Sequence, residues 1–301
     1  MKKINLVSST EIIKFDSESI ILSEALKKRG IESELVFWDD PDVNWGEADL
    51  SVIRSTSDYA WKVEEYLDWV NKVERETTLW NSGDVIRWNH HKGYLLELQE
   101  KGVPIPPTIF VEKESDDSLR HHLDGTGWRE IVLKPAITVG GFGLKRYRSD
   151  DAEAEEHLKR LTKRGWNHRF EGINCYLSPR DVLIQEFLPE IIESGEASLF
   201  YYGGDFSYSV IKRVKPGEIL AHPGYGASVS LYDASPSERG VAEAALDAVG
   251  HRTEYARIDM ALTMDGPLIM ELELIEPWLF IGLLPGKVNI FAGHITEYLH
   301  K

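Results

Sequence analysis

Four charged residues at alternating positions of two neighbouring segments carry the sharpest chemical signal in the chain: Arg257 and Asp259 within Ala256–Leu262, and Glu271 and Glu273 within Leu268–Leu274. Both segments alternate polar and apolar residues as half-buried strands do, and Met264-Asp265-Gly266-Pro267 supplies a turn between them. A hairpin centred near Asp265 sets Asp259 opposite Glu271 and Arg257 opposite Glu273. The two-residue period then puts all four on one face and leaves Ile258, Met260, Met270, Leu272 and Leu274 for the core. Three converging carboxylates repel one another unless cations neutralise them. Oxygen ligands at this density suit Mg²⁺ or Mn²⁺ rather than zinc, and Mg²⁺ held by few carboxylates commonly completes its shell with substrate phosphates. The competing reading is a solvated face with an Arg257–Glu273 surface pair, worth little energetically. The largely apolar continuation Ile275–Ile281 argues that this end of the hairpin enters the protein.

Phosphates need cations and backbone donors. Lys134 stands out after the apolar run Ile131–Leu133 and is followed by Thr138-Val-Gly-Gly-Phe-Gly143 and a strand over Leu144–Arg148. Here the glycines join two strands, so neither the P-loop nor the Rossmann fingerprint applies. They suit a flap whose N–H groups cover phosphates, or equally a bulged loop. Arg54-Ser-Thr-Ser-Asp-Tyr59 falls at the carboxyl end of a strand in an α/β unit, where such units place ligands. Arg54, Ser55, Thr56 and Asp58 are therefore candidate substrate contacts, with Asp58 as helix cap a compatible role. The pairs His90-His91 and His121-His122 lack further ligands at suitable spacing and read as surface histidines.

These groups must be positioned by a mixed chain of strands and helices. Strands are expected over residues 3–8, 33–37 and 49–54, with a helix between Asp16 or Ser17 and Gly30, and another over residues 60–76. One helix carries Arg87 to Lys92 and ends at Gly102. Strands follow over Thr108–Val111, Ile131–Pro135, Asp181–Pro189, Glu196–Tyr202 and Phe206–Val214, with short helical stretches over Ser115–His122 and Asp151–Arg164. Lys215 to Ser230 reads as a mobile loop. Ser235-Pro-Ser-Glu238 is a capping box opening a helix to Gly250, and a last helix runs from about Pro285 to Leu299.

The 301 residues exceed one typical domain, and 42% hydrophobic with 28% charged residues describes a globular protein. A net charge of −16 argues against nucleic-acid binding. The single cysteine, Cys175, fits a reducing compartment. No signal peptide or bilayer-spanning run is visible, so a cytoplasmic location and no membrane partner are expected. A homodimer is the prior for such enzymes.

The order of strand lysine, glycine flap, a strand ending Gln-Glu-Phe-Leu188, and a carboxylate hairpin resembles the ATP-grasp superfamily. The closer likeness is to its glutathione synthetase-like group, and within that to the ATP-grasp ligases of D-cycloserine biosynthesis. Trp38-Asp-Asp-Pro41, Ile53–Tyr59, Leu79-Trp-Asn81 and Glu271–Pro277 carry it. The resemblance implies an α/β chain with α+β ATP-binding lobes: an amino-terminal α/β domain over 1–104, a central lobe with the flap over 105–186, and a carboxyl-terminal lobe with the metal hairpin over 187–301. It further implies ATP and Mg²⁺, with Mn²⁺ as the alternative metal. By matched position, Lys92 and Lys134 contact ATP phosphates beneath Gly140, Gly141 and Gly143. Gln185, Glu186, Phe187 and Leu188 hold adenine through backbone hydrogen bonds and apolar contact, and Glu196 holds the ribose. Arg213 steadies the transferring phosphoryl group, and Asp259, Glu271 and Glu273 bind metal. Many relatives have Asn where Glu273 stands, so this extra charge either alters metal preference or is neutralised by Arg257.

The implied chemistry is ATP-dependent joining of a carboxylate and an amine through an acyl phosphate, releasing ADP and phosphate. The substrate is expected between Arg54–Tyr59 and the hairpin, near Arg257, closed over by the loop containing Tyr225. Two alternatives stand beside it: a cyclising ligase of the D-cycloserine type, and a non-catalytic nucleotide-binding regulator. A kinase-like reading needs His-Arg-Asp and Asp-Phe-Gly strings, and neither occurs.

Overall fold

The computed structural model describes residues 2–12, 16–170, 172–284 and 286–301. The chain opens with β1 (Lys3–Ser8), α1 (Ser17–Lys27), β2 (Glu32–Phe37), β3 (Leu50–Ser55), α2 (Val63–Val73) and β4 (Leu79–Trp80). Their strands form a parallel sheet in the order β2-β1-β3-β4. Asp16 caps α1 by accepting from Ser19 N–H at 3.0 Å, as its residue type favours. Val36, Trp38, Trp45, Ile53, Tyr66, Trp69 and Val70 fill one core on this sheet.

Two short helices follow, α3 (Gly83–Asn89) and α4 (Tyr94–Glu100). The expected single helix is therefore broken, and Lys92 lies in the break. There its N–H donates to the carbonyl of Ala136 at 2.7 Å and its ammonium to that of Thr138 at 3.0 Å.

The next lobe contains β5 (Thr108–Val111), α5 (Leu119–Leu123), β6 (Glu130–Pro135), β7 (Lys145–Arg148), α6 (Ala152–Lys159), β8 (Trp166–Phe170), β9 (Ile173–Leu177) and β10 (Val182–Glu186). An antiparallel sheet β5-β10-β6-β7 holds the glycine loop between β6 and β7. The β8–β9 hairpin was not anticipated from sequence. It places His168 against Phe142 of the glycine loop at 4.4 Å between ring centres.

The last part comprises α7 (Glu190–Glu193), β11 (Glu196–Tyr202), β12 (Asp205–Arg213), β13 (Ser228–Tyr232), α8 (Pro236–Ala248), β14 (Tyr255–Thr263), β15 (Gly266–Glu273) and α9 (Lys287–Leu299). Its antiparallel sheet runs β13-β12-β11-β14-β15. The expected loop over 215–230 is shorter than anticipated, because Ser228 onward pairs with β12. Pro285, the expected start of the last helix, lies outside the described residues. The capping box of α8 is present in both directions, Ser235 with Glu238.

β15 is an edge strand, and side chains satisfy its outer backbone groups. Asn89 accepts from Leu274 N–H at 3.0 Å and donates to the carbonyl of Leu272 at 2.7 Å. Tyr94 Oη accepts from Leu272 N–H at 2.8 Å. Asn81 donates to the carbonyls of Leu274 and Tyr255 at 2.8 and 2.9 Å. Such cover removes the free edge that would otherwise pair with another chain. Leu95, Leu98, Leu199, Ile258, Met260, Ile269 and Leu272 build the core beneath this sheet. No helix among the described residues is long and apolar enough to cross a membrane.

Candidate active site

The hairpin has the expected register: Asp259 faces Glu271 and Arg257 faces Glu273. A bulge between Asp259 and Met260 then pairs Met260 with Ile269. The extra residue turns Ile269 into the core and leaves Met270, expected there, half-buried. The carbonyl of Met270 accepts from Lys134 Nζ at 3.4 Å.

The solvated-face reading fails, because Arg257 and Asp259 are buried, Glu271 and Glu273 are half-buried, and the charges are paired. Asp259 is 2% exposed and accepts from Arg257 Nε and Nη2, each at 3.0 Å, and from Ser198 Oγ at 2.5 Å. Lys212 Nζ stands 3.1 Å from Asp259 and also pairs with Glu196. Arg257 Nη2 reaches Glu273 at 2.7 Å. Lys92 Nζ pairs with Glu271 at 2.5 Å, with Lys134 Nζ 3.7 Å from its other oxygen.

Four carboxylates, Glu196, Asp259, Glu271 and Glu273, thus meet four cations, Lys92, Lys134, Lys212 and Arg257. Burial opposes ionisation of Glu271, but Lys134 and Lys92 outweigh it and bring its carboxyl down to about 2. Asp259 is lowered in the same way by Arg257 and Lys212 against burial. Glu273 goes the other way, because burial and the charges of Glu271 and Asp259 exceed the help from Arg257. One oxygen from each of Asp259, Glu271 and Glu273 lies within 4.8 Å of the others, a spacing that suits a shared divalent ion.

The glycine loop borders this cluster. Gly140, Gly141 and Gly143 have φ of 56°, 75° and 73°, which a side chain would strain. The loop before β13 lies against it: Tyr225 Oη donates to the carbonyl of Gly140 at 3.2 Å, and a Cβ on Gly141 would stand 2.7 Å from Leu220 Cδ1. His222 of that loop lies 5.8 Å from Trp278 between ring centres; burial and the nearby Arg257 bring its imidazole down to about 4.

Other expected residues sit differently. Arg213 is exposed at the end of β12, whereas Lys212 beside it turns into the cluster. The amides of Glu186 and Phe187 donate to the carbonyls of Pro107 and Glu130, each at 3.0 Å, so base recognition would fall to the other backbone groups of 185–188. Gln185 is buried with its amide on Thr108 Oγ1, and the Phe187 ring lies under Arg146. Arg54 is buried, with Nη2 on Glu18 at 3.2 Å and on the carbonyl of Pro277 at 3.3 Å. The carbonyl of Ser55 accepts from Ser8 Oγ, and Thr56 Oγ1 meets Tyr66 Oη at 3.1 Å. Asp58 accepts from Trp38 Nε1 at 2.9 Å and Lys62 Nζ at 3.0 Å and does not cap α2.

Sequence reasoning missed Lys212, Ser198, Ser57 and Glu276. Lys212 had a legible signal, a lysine closing the apolar run Val210–Ile211 just as Lys134 closes Ile131–Leu133.

Similarity to known proteins agrees with this geometry. Residues 4–81 match the sequence profile of the family described as D-cycloserine synthetase DcsG, N-terminal domain. The cycloserine biosynthesis protein DcsG of Streptomyces lavendulae is 30% identical over 310 residues, covering 98% of each chain. The chain belongs to the DcsG family of ATP-grasp ligases. The crystal structure of D-cycloserine synthetase DcsG superposes with a TM-score of 0.85 at 27% identity over 99% of both chains. A D-alanine–D-alanine ligase from Bacillus anthracis, complexed with ATP, shares the fold at a TM-score of 0.64 and 15% identity, over 99% of this chain and 92% of that one. A probable alpha-L-glutamate ligase of Aliivibrio fischeri is 27% identical over 68% of this chain and 60% of its own. This DcsG-family member has the α+β ATP-grasp fold and is an ATP-dependent, carbon–nitrogen bond-forming ligase. ATP and Mg²⁺ are general to its family.

Proposed function

We propose that the protein activates the carboxyl group of a small amino-acid-like molecule with ATP and that a nitrogen of the same molecule closes a ring, in the manner of the D-cycloserine ligases. Joining two separate molecules is the broader form of the same reaction. The observation that carries the reading is Glu271 held between Lys92 and Lys134 beside Asp259 and Glu273. Cations suited to phosphate oxygens and carboxylates suited to a divalent ion adjoin each other there.

A substrate carboxylate oxygen attacks the γ-phosphorus, and the bond from that phosphorus to the ADP oxygen breaks. The resulting acyl phosphate is attacked at its carbonyl carbon by nitrogen; the carbon–oxygen bond to phosphate breaks, phosphate leaves, and nitrogen loses its proton. Such transfer asks the protein for alignment and charge neutralisation. Asp259, Glu271 and Glu273 would hold Mg²⁺, or Mn²⁺, which supplies positive charge to the phosphates. Lys92 and Lys134 bind phosphate oxygens, while Arg257 and Lys212 fix the carboxylates from behind. Gly140, Gly141 and Gly143 cover the phosphates, and the loop bearing Tyr225 excludes water that would hydrolyse the acyl phosphate. Gln185, Glu186, Phe187 and Leu188 border the base, Glu196 the ribose, and Arg213 stands at the rim.

In this reading residues 1–104 form the substrate side, while 105–186 and 187–301 clamp the nucleotide. The testing experiment is ADP release across a panel of amino acids, with hydroxylamine present to trap acyl phosphate as hydroxamate. A hydroxamate formed with one amino acid supports the reading; ATP binding without ADP release from any of them leaves the regulatory alternative.

A further inference from the structure

Each carboxylate of the charge cluster faces a cation, and so do two neighbours: Glu18 faces Arg54 and Asp58 faces Lys62. Glu276 does not. Among the described residues its one side-chain partner is Ser57 Oγ, which donates to Oε2 at 2.7 Å, and it forms no ion pair. It is half-buried, so its remaining oxygen is reachable. Glu276 comes from the segment after β15 and Ser57 from the turn after β3, so their contact joins the amino-terminal unit to the segment that follows the carboxylate hairpin.

We propose that Glu276 and Ser57 form the subsite for the ammonium group of the substrate. This rests on the ligase reading above and names one end of its substrate. Keeping a partly buried carboxylate charged without a cation is costly, and a ligand cation reduces that cost. One carboxylate beside one hydroxyl matches the three donors of an ammonium group, whereas a divalent ion needs more oxygen ligands. Asp58 and Glu273 add negative charge around Glu276, and Arg257 is the cation that opposes it most. Lying three residues beyond Glu273, the subsite places the bound amino acid beside the site of carboxyl activation.

The test is calorimetry on the full chain with ADP and Mg²⁺, comparing D-cycloserine with isoxazolidin-3-one, the same ring without the amino group. Wild type is expected to prefer the amino-bearing ring by about tenfold or more, the scale of a charge-assisted hydrogen bond. Glu276→Gln should abolish that preference and Ser57→Ala should reduce it, with ADP affinity unchanged in both. Equal binding of the two rings by wild type, or a preference that survives in Glu276→Gln, overturns the proposal. Should ADP bind and neither ring bind, the cyclising reading fails, and D-serine against 3-hydroxypropionate decides the subsite. A preference for D-serine lost in Glu276→Gln sustains it; no preference refutes it.

Discussion

Lys92 Nζ and Glu271 meet at 2.5 Å, joining the break between α3 and α4 to the metal-type hairpin. Repulsion among carboxylates alone would make removal of one charge stabilising, but this pairing reverses the sign. Glu271→Gln leaves Lys92 and Lys134 buried without their partner, so the metal-free protein should lose several degrees in Tm. Turnover should fall by roughly two to three orders of magnitude, the scale for losing one electrostatic stabiliser. Near-normal turnover would remove Glu271 from the reaction.

The same residue gives a pH signature in the acid range. Its folded carboxyl is down at about 2, below its unfolded value, so the folded state releases the proton more readily. Its contribution is complete above the ordinary carboxylate range and is lost as pH falls towards 2. Chemical denaturation between pH 5 and pH 2.5 should show a shallower decline for Glu271→Gln than for wild type.

Glu276 has the opposite sign. Burial first, and then the charge of Glu273, push it up to about 8. The folded state therefore binds the proton more tightly than the unfolded state, and stability is lost as pH rises from the ordinary carboxylate range through about 8. Glu276→Gln should gain Tm over wild type as pH rises from 5 to 8.5, by a few degrees at the upper end. A difference independent of pH would show that Glu276 titrates normally.

Gly141 tests the cover over the phosphates. Valine there meets both the strain of φ 75° and the 2.7 Å approach of Leu220 Cδ1. Leu220 can move, so the fold should hold while KM for ATP rises about tenfold or more, the effect of displacing one or two backbone donors. Unchanged ATP kinetics would separate this loop from the nucleotide.

Arg54 separates structure from substrate recognition. Arg54→Ala strands Glu18, whose Oε2 also accepts from Leu279 N–H at 3.0 Å, and should cost about 3–5 kcal/mol of stability. Urea titration measures this directly. Full stability with a raised KM for the amino acid would instead assign the guanidinium to the substrate, where its Nε and Nη1 lack a protein partner among the described residues.

Much of this was legible because period-two alternation sets side-chain direction by local geometry alone. Asp259 opposite Glu271 and Arg257 opposite Glu273 needed only a turn and an alternating pattern. The bulge that exchanged Met270 for Ile269 was not legible, since an inserted residue leaves no mark in composition. Position-by-position likeness pointed to Arg213, and the direction in which the strand displays its side chains adds its neighbour Lys212 to the carboxylate cluster. Glu276 and Ser57 lie 219 residues apart in sequence, and only the packing of two units brings them together.

The covering of β15 by Asn81, Asn89 and Tyr94 bears on how such proteins can be recombined. The amino-terminal third does not end where its own sheet ends; it supplies the amides and hydroxyl that complete a strand formed some 180 residues later. A chimera that takes this third from a relative inherits the edge only if the donor carries matching side chains at these three positions. Without them the hairpin that bears Glu271 and Glu273 would have an open flank, and crossovers between relatives should succeed or fail on these residues rather than on overall identity.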